Sequence, residues 1–127
     1  MTEGIDISIY NARQGAIDWQ EVRQAGKEFV MIRAGWANYA GQIYEDSTLQ
    51  ESVEGASQAG LQVGLYLYDY CADDAAHRTA AKNLVEIAGR FQGKLTMPLA
   101  LDVEETSLPV LTDQGKTGLT NGVIAFC

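Results

Sequence analysis

The sequence predicts an α/β protein built on a parallel sheet, and two observations support that prediction. Short apolar runs alternate with amphipathic segments about four times along the chain, which is typical of strand–helix units. Acidic residues stand inside or directly after these runs, and (β/α)8 barrels hold their active sites at the C-terminal ends of their strands. We therefore expect about four strand–helix units of a partial TIM-type (β/α)8 barrel. An open doubly wound sheet is the alternative topology.

Length and composition predict a single globular domain, residues 1–127, with 46% hydrophobic and 20% charged residues. The net charge of −8 and the scattered Lys and Arg residues argue against a nucleic-acid partner. No apolar run is long enough for membrane insertion, and the N-terminus lacks the pattern of a signal peptide. One histidine and two distant cysteines do not supply a typical ligand set, so we expect no metal and no cofactor.

The first unit is predicted as a strand over residues 4–10, followed by a helix that Asp18 caps. Asp6 lies inside this strand, where a carboxylate is costly if it is buried without a partner. Asp6 is therefore expected at an open end of the strand or in a functional site. Trp19, in the helix, is expected to pack that helix onto the sheet.

The second unit begins with a nearly continuous apolar run over residues 29–36, which predicts a strand buried on both faces of a parallel sheet. Trp36 ends this strand, and a core role and a sugar-binding role are about equally expected for it. A tyrosine-rich loop follows. A helix is then predicted from Asp46 or Ser47 to about Gly60.

The third unit is predicted as a strand over residues 61–71, which places three tyrosines on one face: Tyr66, Tyr68 and Tyr70. Stacked tyrosines either fill a core or form a platform for sugar rings. The helix that follows begins after Asp73 or Asp74. His77 lies on this helix, away from the strand ends, and is expected at the surface or in a structural role.

The fourth strand, predicted over residues 95–101, runs directly into Asp102 and Glu104, and a last helix is predicted over residues 111–126. Asp102 and Glu104 share one face of the strand, with Cα atoms roughly 6.5 Å apart. Like charges held together, or desolvation, raise the pKa of a carboxyl group toward that of a general acid in glycoside hydrolysis. From these residues alone, an exposed strand end or the start of a helix is the slightly favoured interpretation.

Five segments resemble glycoside hydrolase family 25, the lysozyme-type muramidases of bacteria and phages. They lie in the family's order and cover almost the whole chain: Gly4-Ile5-Asp6-Ile7-Ser8, Ile17-Asp18-Trp19, residues 29–35, residues 59–66, and Leu101-Asp102-Val103-Glu104. The resemblance implies an enzyme that cleaves the β-1,4 bond between N-acetylmuramic acid and N-acetylglucosamine in peptidoglycan. Such an enzyme acts on the cell wall, either secreted or released by a phage.

The resemblance also implies roles for individual residues. Glu104 matches the proton donor, and Asp102 and Asp6 match the acids that assist it by stabilising an oxocarbenium-like centre or orienting the substrate. The residues that match the substrate-binding groove are Tyr66, Tyr68, Arg33 and Trp36. Whether a carboxylate or the acetamido group of the substrate attacks the anomeric carbon stays open.

Members of the family continue beyond the segment that resembles this chain. We therefore expect the chain to hold the N-terminal portion of the catalytic domain, with the C-terminal part of the barrel absent. Exposed edges on the first and fourth strands would favour pairing with a second copy or with a missing half. Two functions follow: a muramidase, or a non-catalytic fragment that needs a second half or oligomerisation. A barrel hydrolase with another glycan substrate is a third.

Overall fold

The computed structural model of the chain describes residues 2–104 and Phe126. In chain order its elements are β1 (Gly4–Ile7), α1 (Ile9–Ala12), α2 (Trp19–Gln24), β2 (Phe29–Ala37), β3 (Ile43–Glu45), α3 (Leu49–Gln58), β4 (Gln62–Asp69), α4 (Asp74–Gly89) and β5 (Ala100–Asp102). The helix predicted over residues 111–126 lies outside the described residues, apart from Phe126, which packs against the core.

The sheet has the order β1-β2-β4-β5, and all of these neighbours pair in parallel. The helices α2, α3 and α4 lie in the connections between successive parallel strands. Within the described ranges β1 and β5 do not pair, so the sheet is open. The prediction of an α/β fold with the parallel sheet of a partial barrel is confirmed.

Each face of the sheet has its own composition. One face, here called the outer face, is covered by helices and carries fully buried aliphatic side chains: Val30, Ile32, Val63, Leu65 and Leu67. The opposite, inner face carries polar and aromatic side chains, because residues paired across parallel strands point to the same side. The pairs Asp6 with Met31, Arg33 with Tyr66, and Tyr68 with Asp102 lie on that face.

A β-bulge interrupts the middle of β2 and determines where Trp36 points. The register with β4 runs from Arg33, opposite Tyr66, directly to Gly35, opposite Leu67, which leaves Ala34 as the extra residue. Because side chains alternate along a strand, one extra residue moves those that follow to the other face. Trp36 therefore pairs with Tyr68 on the inner face instead of joining Ile32 in the buried core.

The strand predicted over residues 4–10 is too long, because the chain turns into α1 directly after Ile7. Ser8 caps this short helix: its hydroxyl accepts a hydrogen bond from the Tyr10 N–H at 3.3 Å, and its own N–H donates to Asn11 Oδ1 at 2.9 Å. Ser8 and Asn11 form this cap with reciprocal hydrogen bonds, as in a capping box. The local cap ends the strand despite the β-branched residues around it.

Two further strand predictions need correction. The loop predicted after Trp36 contains β3, which pairs antiparallel with the end of β2. The fourth strand begins only at Ala100 rather than at Leu95. Thr96 is held at the start of β4 instead, since its N–H donates to the Val63 carbonyl at 2.9 Å and its hydroxyl accepts the Val63 N–H at 3.1 Å.

The helices begin close to their predicted caps. Asp18 Oδ1 accepts the Glu21 N–H at 3.0 Å, and Asp73 Oδ1 accepts the Ala76 N–H at 2.8 Å. In contrast, α3 begins after Thr48 without a side-chain cap. Trp19 has the expected structural role and lies against Gly55 of α3.

None of the helices in the described part of the chain is long and apolar enough to cross a membrane.

Candidate active site

Three acidic side chains meet on the inner face near the C-terminal ends of the strands. Asp6 is exposed on β1, Asp102 is the last residue of β5 and is partly buried, and Glu104 follows it in an exposed position. The charges of both Glu104 and Asp6 act on the Asp102 carboxyl group. Asp6 and Asp102 lie on the two edge strands of the sheet, β1 and β5. The effect of the Asp6 charge on Asp102 indicates that the sheet curves enough to bring the two edges near each other.

Asp102 and Glu104 form a carboxyl pair. Burial first, and then the charge of Glu104 and a hydrogen bond to its side chain, raise the pKa of Asp102. A hydrogen bond between two carboxyl groups requires a proton on one of them. A raised carboxyl pKa is the direction in which the acid of a general-acid site is tuned.

Tyrosine hydroxyls surround the carboxyl pair. The Tyr68 hydroxyl donates a hydrogen bond to Glu104 Oε2 at 3.4 Å. Burial, followed by the charge of Asp6, raises the pKa of Tyr66 to about 12, with Arg33 opposing the shift and Asp102 adding to it. The Tyr66 hydroxyl is thus neutral near neutral pH, and the charges of Asp6, Asp102 and Arg33 all act on it.

Arg33 is held rigidly at this site by Asp46. Its Nε donates to Asp46 Oδ2 at 2.9 Å and its Nη2 donates to Asp46 Oδ1 at 3.0 Å, and the side chains are only 12% and 4% exposed. Asp46 Oδ2 also accepts the Ile9 N–H at 3.0 Å, which ties the start of α1 to the same carboxylate. The Arg33 guanidinium lies 5.2 Å from the centroid of the Tyr10 ring, a cation–π distance.

A groove of about 650 Å³ opens beside these groups, and its wall is mostly aromatic. It is lined by Tyr10, Arg33, Trp36, Asn38, Tyr39, Tyr68 and Tyr70. Trp36 stacks on Tyr44 with ring centroids 4.4 Å apart, and Tyr70 meets both Trp36 and Tyr68 edge to face. Large, partly exposed aromatic faces with polar edges are suited to contacts with sugar rings. The Tyr70, Trp36, Tyr68 and Tyr44 rings are called the aromatic wall below.

A second cluster of titratable groups lies behind the aromatic wall. His77 Nε2 is 2.7 Å from Asp69 Oδ2, and both side chains are almost completely buried. His77 Nδ1 is 2.8 Å from the Asp73 carbonyl oxygen, which can only accept, so Nδ1 carries a proton. The hydrogen bond to Asp69 comes first among the causes that raise the pKa of His77. The pKa of Asp69 is lowered: burial opposes this shift, but hydrogen bonds from His77 and Cys71 exceed it.

This buried pair corrects the expected position of His77. The role is structural, but the side chain lies against the end of β4 rather than away from the strand ends. Potential metal-ligand atoms of Asp69, Cys71 and His77 lie within 4.8 Å of one another. However, both ring nitrogens of His77 are already hydrogen-bonded, and Asp69 also accepts the Cys71 N–H at 2.8 Å. The hydrogen-bonding atoms of His77 and Asp69 are therefore occupied without a metal ion.

The structure brings all seven predicted site residues to one face of the sheet: Asp6, Arg33, Trp36, Tyr66, Tyr68, Asp102 and Glu104. Sequence reasoning missed Asp46, which was considered only as a helix start, and the groove positions of Tyr10, Asn38 and Tyr39. The tyrosine-rich loop was a signal for the last two, because loops at strand ends carry binding residues.

Comparison with known proteins identifies relatives of this chain. The sequence profile of Glycosyl hydrolases family 25 matches residues 5–126. The autolytic lysozyme of Clostridium acetobutylicum is 41% identical over 66 residues, which are 52% of this chain and 18% of that protein. The chain therefore spans under a fifth of this curated relative.

Two solved structures are similar to most of the chain. The modular autolysin LytC of Streptococcus pneumoniae, in complex with a synthetic peptidoglycan ligand, aligns with a TM-score of 0.71 and 24% identity, covering 96% of this chain and 29% of that one. The muramidase of Trichobolus zukalii aligns with a TM-score of 0.71 and 23% identity, covering 99% of this chain and 59% of that one. At these identities the two structures support the fold.

Proposed function

The chain belongs to glycosyl hydrolases family 25, and on that premise we propose that it is a muramidase that acts on the bacterial cell wall. Its substrate is the glycan strand of peptidoglycan, and the bond cleaved is the β-1,4 linkage between N-acetylmuramic acid and N-acetylglucosamine. The autolytic lysozyme and the peptidoglycan-bound autolysin among its relatives support this substrate class. The proposal concerns residues 1–127 as one domain.

The observation that carries the proposal is the pairing of the Asp102 and Glu104 carboxyl groups beside Tyr68, which lines the aromatic groove. In the proposed reaction Glu104 donates a proton to the leaving glycosidic oxygen, because it extends beyond β5 into the exposed part of the site. Asp102 shares that proton with Glu104 before the transfer, and the water that finally adds to the anomeric carbon returns a proton to the carboxyl pair. The exposed Asp6 carboxylate stabilises the positive charge that develops on the sugar ring.

The groove supplies the binding half of the proposal. Trp36 and Tyr68 present aromatic surface to the sugar rings, while Arg33, fixed by Asp46, and Tyr66 supply hydrogen-bond donors next to the acids. Because Asp46 sets the orientation of Arg33 before any ligand arrives, little conformational entropy is lost on binding. No cofactor enters this scheme, since general acid catalysis and charge stabilisation use only side chains.

The test is release of reducing ends from purified peptidoglycan by the full chain and by Glu104→Gln. The amide keeps the size of the side chain but cannot donate the proton, so the rate should fall by on the order of 10²-fold or more. Glu51→Gln, at an exposed position on α3, is the matched control and should retain full activity. Equal rates for Glu104→Gln and the unsubstituted chain would exclude the assigned proton donor.

A second candidate function is favoured by the open sheet. Within residues 2–104 and 126, the outer edges of β1 and β5 pair with no further strand. We propose that if the chain is inactive by itself, these edges bind a second copy or a second chain that completes the site. Specific activity that rises with protein concentration, together with a dimer in light scattering, supports this assembly. Constant specific activity from a monomer contradicts it.

Cleavage of chitin oligomers without cleavage of peptidoglycan would indicate a different glycan substrate.

A further inference from the structure

The buried Asp69–His77 pair lies directly behind the aromatic wall. Asp69 stands between Tyr68 and Tyr70 at the end of β4, and side chains alternate along an extended chain. Asp69 therefore points away from the groove, toward α4, while its two neighbours point into the groove. Anything that fixes the Asp69 side chain also fixes the backbone that carries both tyrosines.

Three hydrogen bonds immobilise this part of the chain. Asp69 Oδ2 is 2.7 Å from His77 Nε2, and Asp69 Oδ1 accepts the Cys71 N–H at 2.8 Å. His77 is itself anchored, since its Nδ1–H donates to the Asp73 carbonyl at the start of α4. The carboxylate thus joins the first turn of α4 to the residues that follow β4. The charge of Asp74, also in the first turn of α4, acts on His77 as well.

The same helix, α4, supports the other side of the groove. Asn83 Nδ2 donates to the Gly41 carbonyl at 3.1 Å, and the Gly41 backbone is packed against the Ala76 carbonyl. This turn follows Asn38 and Tyr39, which line the groove. The Tyr70 N–H also donates to the Ala37 carbonyl at 3.0 Å, so the two supported segments are bonded to each other.

We propose that Asp69 and His77 are positioning residues for glycan binding: their hydrogen bonds hold Tyr68 and Tyr70 in the orientation that contacts sugar rings. The pair touches no substrate itself. Its effect is preorganisation, because rings that are already fixed lose less freedom when a ligand binds. That the ligand is a glycan rests on the proposed function, whereas the ordering of the aromatic wall does not.

Four substitutions in the full chain test this proposal. His77→Leu removes the hydrogen bond and leaves the Asp69 carboxylate buried. Asp69→Asn keeps every hydrogen bond in neutral form, since the amide oxygen accepts from Cys71 and the amide nitrogen donates to His77 Nε2. The double substitution Asp69→Asn with His77→Leu removes the bond without leaving a buried charge. Leu84→Ala is the control, because Leu84 is also fully buried on α4 but lies two turns beyond His77.

The readouts are near-ultraviolet circular dichroism of the stacked rings and the KM and kcat for soluble glycan strands freed of peptide. His77→Leu and the double variant are expected to lose much of the aromatic signal. They should also raise KM on the order of tenfold, with kcat changed far less. Asp69→Asn should match the unsubstituted chain. Leu84→Ala should lower stability while leaving the aromatic signal and KM unchanged.

Three outcomes overturn the proposal: an unchanged aromatic signal in the folded double variant, an Asp69→Asn variant as impaired as His77→Leu, or a Leu84→Ala variant with the same KM increase. If His77→Leu does not fold, the double variant decides the question. If the unsubstituted chain neither binds nor cleaves glycan, the proposed function fails. The circular dichroism comparison still determines whether the pair orders the aromatic wall.

Discussion

Replacing Asp46 by alanine is expected to destabilise the fold strongly, although Asp46 is far from the acids of the site in sequence. The substitution removes an acceptor of three hydrogen bonds, two from Arg33 and one from the Ile9 N–H. It also leaves the Arg33 guanidinium, whose side chain is only 12% exposed, without a counter-charge. Breaking a buried ion pair by removing one partner costs about 3–5 kcal/mol.

That free energy converts to a large shift in melting temperature. A chain of 127 residues unfolds with an entropy of about 0.27 kcal/mol per kelvin, so the Tm should fall by about 11–19 °C. Urea unfolding of both proteins measures the same free energy, and an unchanged m-value shows that the two transitions expose similar surface. Urea is preferred to guanidinium chloride because it is uncharged and does not screen ion pairs.

The ion pair between Glu3 and Lys27 is the matched control. Its atoms are 3.0 Å apart, as in the Arg33–Asp46 pair, but its side chains are 58% and 30% exposed. Glu3→Ala should therefore cost only about 0–1 kcal/mol. If Asp46→Ala costs no more than Glu3→Ala, then burial does not make the Arg33–Asp46 pair structural, and Asp46 does not preorient Arg33.

Two further results are expected. The free energy of unfolding should fall as the pH rises above about 6.5, because His77, the sole histidine, has a raised pKa in the folded chain and the unfolded chain loses its proton first. Asp69→Asn should flatten or reverse that slope in urea titrations between pH 6 and about 9, and an unchanged slope would disprove the assignment. Gly41→Ala should cost at least about 1 kcal/mol more than Gly26→Ala in thermal unfolding. Both glycines have φ near +85°, at +84° and +89°, but only at Gly41 would a Cβ overlap the Ala76 carbonyl. Equal costs would show that the contact does not matter.

Apolar periodicity predicted most of the parallel sheet and its helices, because burial on the outer face dictates that pattern. It failed where a local hydrogen bond overrides it. The strand that contains Asp6 ends early because Ser8 and Asn11 cap a helix. Periodicity does not predict β3, because its three exposed or half-buried residues carry no alternation signal. Long buried strands are visible in a sequence, whereas short elements determined by caps and turns are not.

In the candidate site, too, some residues are visible in the sequence and others depend on contacts that only the fold creates. Asp102 and Glu104 stand out in the sequence because carboxylates are costly beside an apolar strand. Asp46 does not, since an acid near the start of a helix already has an ordinary explanation, and its bond to Arg33 depends on tertiary structure. The orientation of Trp36 depends on the bulge at Ala34, for which Gly35 inside a strand was the available signal.

The bulge in β2 has a consequence for how this protein can diversify. Before the bulge, β2 pairs in parallel with β1, and after the bulge the same edge of β2 pairs antiparallel with β3. The turn between β2 and β3 is therefore not part of the parallel strand pairing. Exchange of the exposed Tyr39 side chain in that turn reshapes one side of the groove without shifting any strand of the parallel sheet. The shape of the groove can therefore be varied at Tyr39 separately from foldability, whereas Gly41 has to be kept because its backbone packs against the Ala76 carbonyl.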